Sequence, residues 1–326
     1  MTRPGGRWLD TATLPLEPTQ VLLALLAVLT VGYGTFWARH LVRARRQPIS
    51  EDASGPAWAL GVIGAVTNFF DTLGIGSFAP TTAIWKFLRF VPDRVIPGTL
   101  NVGHTVPTIA QAFIFVAAIE VGPWTLISMI AAAVAGAWLG AGIVASWPKR
   151  NVQIGMGIAL LVAAGFLLKT LLDVNVAGST ATSLEGALLA LGLGGNFVLG
   201  ALMTLGIGLY APCMVLVALL GMNVKAAFPI MMGSCAFLMP IASAKFISKG
   251  CYAPRAALGL AIGGLPAVLV AGLIVKEMPL TTVRWVVLGV VLYTAGLMLW
   301  SARRTSRAPE AAPVLKVAPS PAETPR

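Results

Sequence analysis

The stretch TLGIGSFAP, residues 72–80, returns as TLGIGLYAP, residues 204–212, an offset of 132 with seven of nine letters kept and Phe78 answered by Tyr210. The same offset carries Pro97 onto Pro229, while upstream Asn68-Phe69 is echoed by Asn196-Phe197 at an offset of 128. The four-residue difference is roughly one helical turn. Gapless agreement in TLGIG and AP, together with the proline match, points to a duplicated unit rather than to chance recurrence of Gly, Ala and Leu. Within the phrase, Gly74 and Gly76 let a helix break, and Pro80 suits the first turn of the next helix, where its missing N–H has no intrahelical role. The free N–H groups around Thr81 and Thr82 then favour an anion at the break. Gly206, Gly208 and Pro212 repeat the device in the second copy.

Working outward, hydrophobic residues make up 57% of the 326 and charged residues only 11%. A soluble domain carries about a quarter charged residues, so the composition excludes an ordinary globular protein. Apolar segments fall at 19–38, 57–73, 76–91, 95–119, 123–146, 151–173, 184–204, 206–222, 226–248, 254–276 and 280–301, several of them long enough to span a bilayer core. The expected fold is an all-α polytopic membrane protein. It comprises a polar segment 1–18, an N-terminal transmembrane helix 19–38, a first repeat 57–173, a second repeat 184–301 and a disordered cytoplasmic tail 302–326 rich in Pro and Ala. Each repeat has about five segments, an odd number, so the second copy is expected upside down. Inverted repeats with Gly/Pro-broken helices near the midplane are a signature of secondary transporters. Each broken pair, 57–91 and 184–222, reads either as two full spans or as a re-entrant hairpin. Gly136 and Gly140, with Ala132 one turn earlier, read as close helix packing instead.

The net charge of +11 does not point to nucleic acid, because Lys and Arg gather in short loops between apolar segments. Placing Arg39–Arg46 in the cytoplasm puts Lys86, Arg89, Arg94, Lys149, Arg150, Lys245, Lys249, Arg255, Arg303, Arg304 and Arg307 inside too. The loop 174–183 has no Lys or Arg and falls outside. The run from Thr19 ends in Arg39 and His40 without a cleavage pattern, so it reads as a retained helix. Cys213, Cys235 and Cys251 lack the spacing of a disulfide framework or a zinc site. No Walker phosphate loop, metal motif or cofactor motif is present, so ATP is not a direct energy source.

Polar residues inside apolar segments are costly unless they face a partner or a wet cavity. Asp71 is the acidic residue placed well inside, and its counterpart in the second half is Met203. Residues 95–119 carry Asn101, His104, Thr105, Thr108 and Gln111 three or four apart, a polar stripe, with Pro107 expected to loosen the helix at Gly103. The related stretch offers Ser234 and Cys235, with Pro240 as the kink. The candidate anion site therefore comprises Asn68, Thr72, Gly74, Gly76, Pro80, Thr81, Thr82, Asn101, His104 and Thr105 from the first half. From the second half it takes Asn196, Thr204, Gly206, Gly208, Pro212, Cys213 and Ser234. Asp71 and His104 are candidates for proton coupling. Lys86 and Lys245 read as snorkelling residues that set topology.

The phrases NFFDTLGIGSFAPTTA (68–83) and VPDRVIPGTLNVGHTVPT (91–108) resemble the sulfite exporter TauE/SafE family of membrane transporters. The resemblance runs from about Trp58 to Ser301, with the usual run of glycines replaced by Gly74-Ile75-Gly76-Ser77 and Gly206-Ile207-Gly208-Leu209. It implies a bacterial inner-membrane permease for sulfite, sulfoacetate or other organosulfonates. The expected partners are thus a small anionic solute and the lipid bilayer, and the expected protein is not an enzyme. Two alternatives stand beside this: an integral membrane enzyme using Asp71 and His104, without a supporting motif, and a non-transporting scaffold.

Overall fold

The computed structural model describes residues 17–44, 53–139, 147–172, 179–203 and 208–305. Of the expected disordered tail 302–326, residues 302–305 instead continue the last helix, while residues 306–326, the residues before 17, Gly140, Thr204 and Gly206 lie outside the described residues. Among the described residues the chain is all helical, with eleven α-helices and one short 3-10 turn. They are α1 Pro18–Ala44, α2 Ala57–Thr72, α3 Phe78–Leu88, α4 Ile96–Ala118, α5 Pro123–Leu139, α6 Lys149–Leu172, α7 Gly186–Met203, α8 Tyr210–Leu219, α9 Ala227–Ser248, α10 Pro254–Glu277 and α11 Leu280–Thr305. Seven of them, α1, α4, α6, α7, α9, α10 and α11, are long and apolar enough to cross a membrane. Trp58, Phe87, Trp124 and Trp138 are exposed, as lipid-facing residues of a membrane protein are.

The elements gather at two ends. At one, His40 of α1 meets the Tyr252 hydroxyl (3.0 Å), the Ala253 N–H donates to Thr99 (2.9 Å) and Arg255 donates to the Ala53 carbonyl (3.0 Å). This is the basic end. It carries Arg39, Arg43, Lys86, Arg89, Lys245, Lys249 and Arg255, the residues that the charge pattern places together. At the other end, the Gly122 N–H donates to Thr182 O and the Asn223 N–H to Ala181 O, both at 2.8 Å.

α3 has 11 residues and α8 has 10, lengths of about 17 and 15 Å that fall well short of a 30 Å bilayer core. Each folds back beside the helix before it. The Ser54 N–H just ahead of α2 donates to the Phe90 carbonyl just after α3 (2.9 Å), so this pair starts and finishes at the basic end. Ser179 ahead of α7 donates to the Gly221 carbonyl after α8, so the second pair starts and finishes at the opposite end. Because α3 and α8 stop short, each pair, 57–91 and 184–222, is a hairpin with a short second arm rather than two full spans. α3 and α8 stop early because Arg89 turns left-handed at φ 53° after one and Gly221 at φ 76° after the other.

Packing is reciprocal. α2 lies along α10 as α5 lies along α7, α4 packs on both α9 and α10 as α9 packs on both α4 and α5, and α6 pairs with α11. The first two pairs approach at glycines. A Cβ on Gly263 would stand 1.9 Å from the Gly61 carbonyl oxygen, and one on Gly136 the same distance from that of Phe197. Gly136 therefore packs as its spacing suggests, against Phe197, while one turn earlier it is Ala133, where Ala132 was expected, that receives Gly200 of α7. Because the obstacle is backbone, helices must separate to admit a methyl. Gly263→Ala is expected to destabilise the protein by about 1–3 kcal/mol, read as a lower thermal midpoint in detergent, with Gly34→Ala unchanged because nothing lies within 4 Å of it.

Candidate functional site

The break between α2 and α3 is built as its sequence requires. Gly74 and Gly76 take φ of 93° and 86°, values that side chains oppose, and Pro80 is the third residue of α3. Pro212 is likewise the third residue of α8. Thr81 bonds back to the Ser77 carbonyl through both its N–H (3.1 Å) and its hydroxyl (2.7 Å), so its N–H is not free as expected, and the Thr82 hydroxyl bonds the Phe78 carbonyl (2.7 Å).

Behind the break lies a chain of buried polar groups. Asn68 donates through Nδ2 to the Gly64 carbonyl (2.7 Å), which turns its Oδ1 to His104 Nδ1 (2.9 Å). That oxygen can only accept, so His104 carries its hydrogen on Nδ1 and presents Nε2 to the Thr81 hydroxyl at 3.2 Å. Further along α2, Thr72 donates to the Asn68 carbonyl (2.8 Å) and receives Gln111 Nε2 (3.0 Å). Gln111 Nε2 also donates to Asp71 Oδ2 at 2.9 Å. Tyr210, the first residue of α8, brings its hydroxyl to the same carboxylate oxygen (3.5 Å) and to Gln111 Oε1 (3.3 Å). Ser77, the residue ahead of α3, reaches Asp71 through both its N–H and its hydroxyl. Asn68, Thr72, Thr81, His104 and Gln111 are fully buried and Asp71 is 2% exposed, so the cluster is closed to solvent.

Two features of this geometry matter chemically. First, the starts of α3 and α8 meet at one point, the Asp71 carboxylate. Second, Ser77, Gln111 and Tyr210, the donors that hold it, are all neutral. The positive end of α3 is thus occupied by the protein's own carboxyl group, an arrangement that the sequence spacing had not disclosed.

The polar stripe on α4 divides. His104, Thr108 and Gln111 face the breaks, with Thr108 against Tyr210. Thr105 instead meets Ser243 of α9 at 2.9 Å, and Asn101 bonds the Pro97 carbonyl of its own helix at 2.9 Å, so neither joins the cluster. The reason is angular: His104 and Thr105 are about 100° apart around a helix packed on several sides. Near Pro107 the engaged carbonyl is that of Val102, which receives the Tyr33 hydroxyl (3.2 Å). In the second half Asn196 donates to the Met129 carbonyl (2.7 Å) and sits 3.4 Å from Ser234, forming a separate group. Cys213 is buried, Gly208 is exposed, and Thr204 and Gly206 fall outside the described residues. Sequence reasoning left Ser77, Gln111 and Tyr210 out of the site. The signal for Tyr210 was its being the one aromatic change, Phe to Tyr, between the two copies of the phrase.

Fold and site together define a polytopic helical membrane protein organised around two oppositely opening broken-helix hairpins. The family model described as sulfite exporter TauE/SafE, a family of membrane transporters, matches residues 6–167, and over that segment the chain is similar to it. The matched segment contains Asp71, His104 and Gln111, while Tyr210 and Asn196 lie beyond it. No curated protein and no solved structure matches the chain.

Proposed function

We propose that the protein is a secondary transporter of a small sulfur oxyanion or organosulfonate, working by alternating access between two inverted halves, residues 57–173 and 184–301. The observation that carries this reading is the convergence of the α3 and α8 starts on Asp71. A backbone N–H, two hydroxyls and an amide gathered at a helix start are the donors that a sulfite or sulfonate oxygen needs. Reciprocal helix packing and hairpins opening at opposite ends are what inverted repeats produce, with the site at their junction. The basic end then faces the cytoplasm of a bacterial inner membrane.

Asp71 supplies the coupling. An ionised carboxylate at the α3 start and an incoming anion repel each other, so the solute enters when Asp71 takes up a proton and lets go of Ser77. His104, whose Nε2 lies 3.2 Å from the Thr81 hydroxyl, is the second candidate for proton movement. An enzyme using Asp71 and His104 as an acid–base pair gains no support from this geometry, since each is engaged by other partners. Purified protein in liposomes is expected to give saturable sulfite or sulfoacetate flux. Absence of flux for all sulfur oxyanions tried, under imposed anion and proton gradients, would sink the reading.

A further inference from the structure

Away from the Asp71 cluster, a cavity of about 300 Å³ opens at the basic end, where α3 finishes and turns toward α4. Trp85, Lys86, Arg89, Ser54 and Asp93 line it. Resting on the transporter reading, we propose that this cavity is an oxyanion-binding station between the cytoplasm and the central site, with Trp85 and Arg89 as its ligands.

Three observations carry it. Trp85 is fully buried, yet its indole Nε1–H has no hydrogen-bond acceptor. A buried donor without a partner is costly, and an oxyanion is the acceptor that this donor lacks. Next, Ser77, Thr81, Trp85 and Arg89 recur every four residues and so follow one face of α3. That face runs from the Asp71 cluster, which Ser77 and Thr81 border, to the cavity, placing a polar group at each turn of the helix. Lastly, α3 packs chiefly on α2 and α4, whereas α8 is lodged among α6, α7, α9 and α11. The α3 side is the less confined of the two, which suits it to opening. At the mouth, Lys86 is paired with Asp93 at 3.0 Å, with both side chains more than half exposed, so Arg89 provides the net positive charge. Arg89 occupies a left-handed helix cap at φ 53°, where glycine is the usual residue, which fixes the origin of its guanidinium beside the cavity.

A phospholipid phosphate has the same chemistry as a free oxyanion, and the test separates them. Protein labelled with 15N-tryptophan gives one indole signal for each of nine tryptophans, and Trp85→Phe, or Trp85→Tyr if the first variant folds poorly, identifies the signal of Trp85 by its loss. In phospholipid-free micelles, sulfite is expected to shift this signal saturably, and Arg89→Gln is expected to weaken the apparent affinity about tenfold. A signal unmoved by sulfite, an Arg89→Gln titration equal to the wild type, or a shift produced only in phosphatidylglycerol nanodiscs would overturn the proposal, the last assigning the cavity to lipid. Flux in liposomes is read separately. Flux without a shift removes the station alone, and a shift without flux removes the transporter reading while leaving the binding site.

Discussion

Asp71→Asn is expected to leave the protein folded and able to exchange anions across a liposome membrane, yet unable to concentrate them with a pH gradient. The substitution keeps the size of a side chain that is 2% exposed and replaces an ion held only by neutral donors, so the thermal midpoint should not fall. Asparagine imitates the protonated acid permanently, which opens the α3 start to the solute but removes the proton from the cycle. For one proton moved with each monoanion, a gradient of one pH unit sustains about tenfold accumulation in the wild type. In the variant the expected ratio is one, while counterflow of labelled solute persists. Methanesulfonate is the appropriate probe, because its own charge does not change near neutral pH. Its apparent affinity should weaken with rising pH in the wild type, as the ionised carboxylate increasingly holds Ser77, and should be flat in Asp71→Asn. Accumulation by the variant would show that the coupling group is elsewhere, and His104→Gln is then the next variant to measure.

Much of this architecture was legible in the sequence, and what was not follows from how helices pack. The duplicated phrase announced two breaks, and Gly74, Gly76, Pro80 and Pro212 occupy the backbone positions that their chemistry suggested. Charge alone gathered Arg39, Lys86, Lys249 and Arg255 at one end, because short loops carry the topology signal. Hairpins with a short second arm were not distinguishable from two full crossings, since α3 and α8 are as apolar as spanning helices and differ only in where they stop. Within the site, four-residue spacing grouped Asn101 and Thr105 with His104, but α4 has neighbours on several sides, so polar residues there satisfy different partners. Tyr210 and Gln111 each left a mark in the sequence, one as the aromatic change in the repeat and the other in the polar stripe, but only the fold pairs them, bringing residues 99 apart in the chain to 3.3 Å. Trp85 gave no signal at all, because an indole N–H becomes informative only when its surroundings are known.

Gly74→Ala is expected to impair both folding and transport, and its two causes can be measured apart. The residue sits at φ 93°, where an L side chain costs about 1–2 kcal/mol. A Cβ there would also stand 1.9 Å from the Met214 methyl and 3.7 Å from that of Met231, so Met214 of α8 fills the crook of the first break. Gly76 shares the backbone strain at φ 86° but has nothing within 4 Å, which makes Gly76→Ala the measure of strain alone. The loss of thermal stability in Gly74→Ala should therefore exceed that in Gly76→Ala, and the excess is the clash. Removing the obstacle with Met214→Ala leaves a cavity of its own, which the new methyl of Gly74→Ala partly fills. The double variant should then be less destabilised than the sum of the singles, by an interaction of about 0.5–2 kcal/mol. Strict additivity would mean that Met214 does not rest in the crook. Transport should separate the same pair, because a methionine seated in the crook of the first break must withdraw before an anion reaches Ser77. Met214→Ala is accordingly expected to raise the rate of anion exchange, and a lower rate would identify Met214 as a support for α8 rather than a plug.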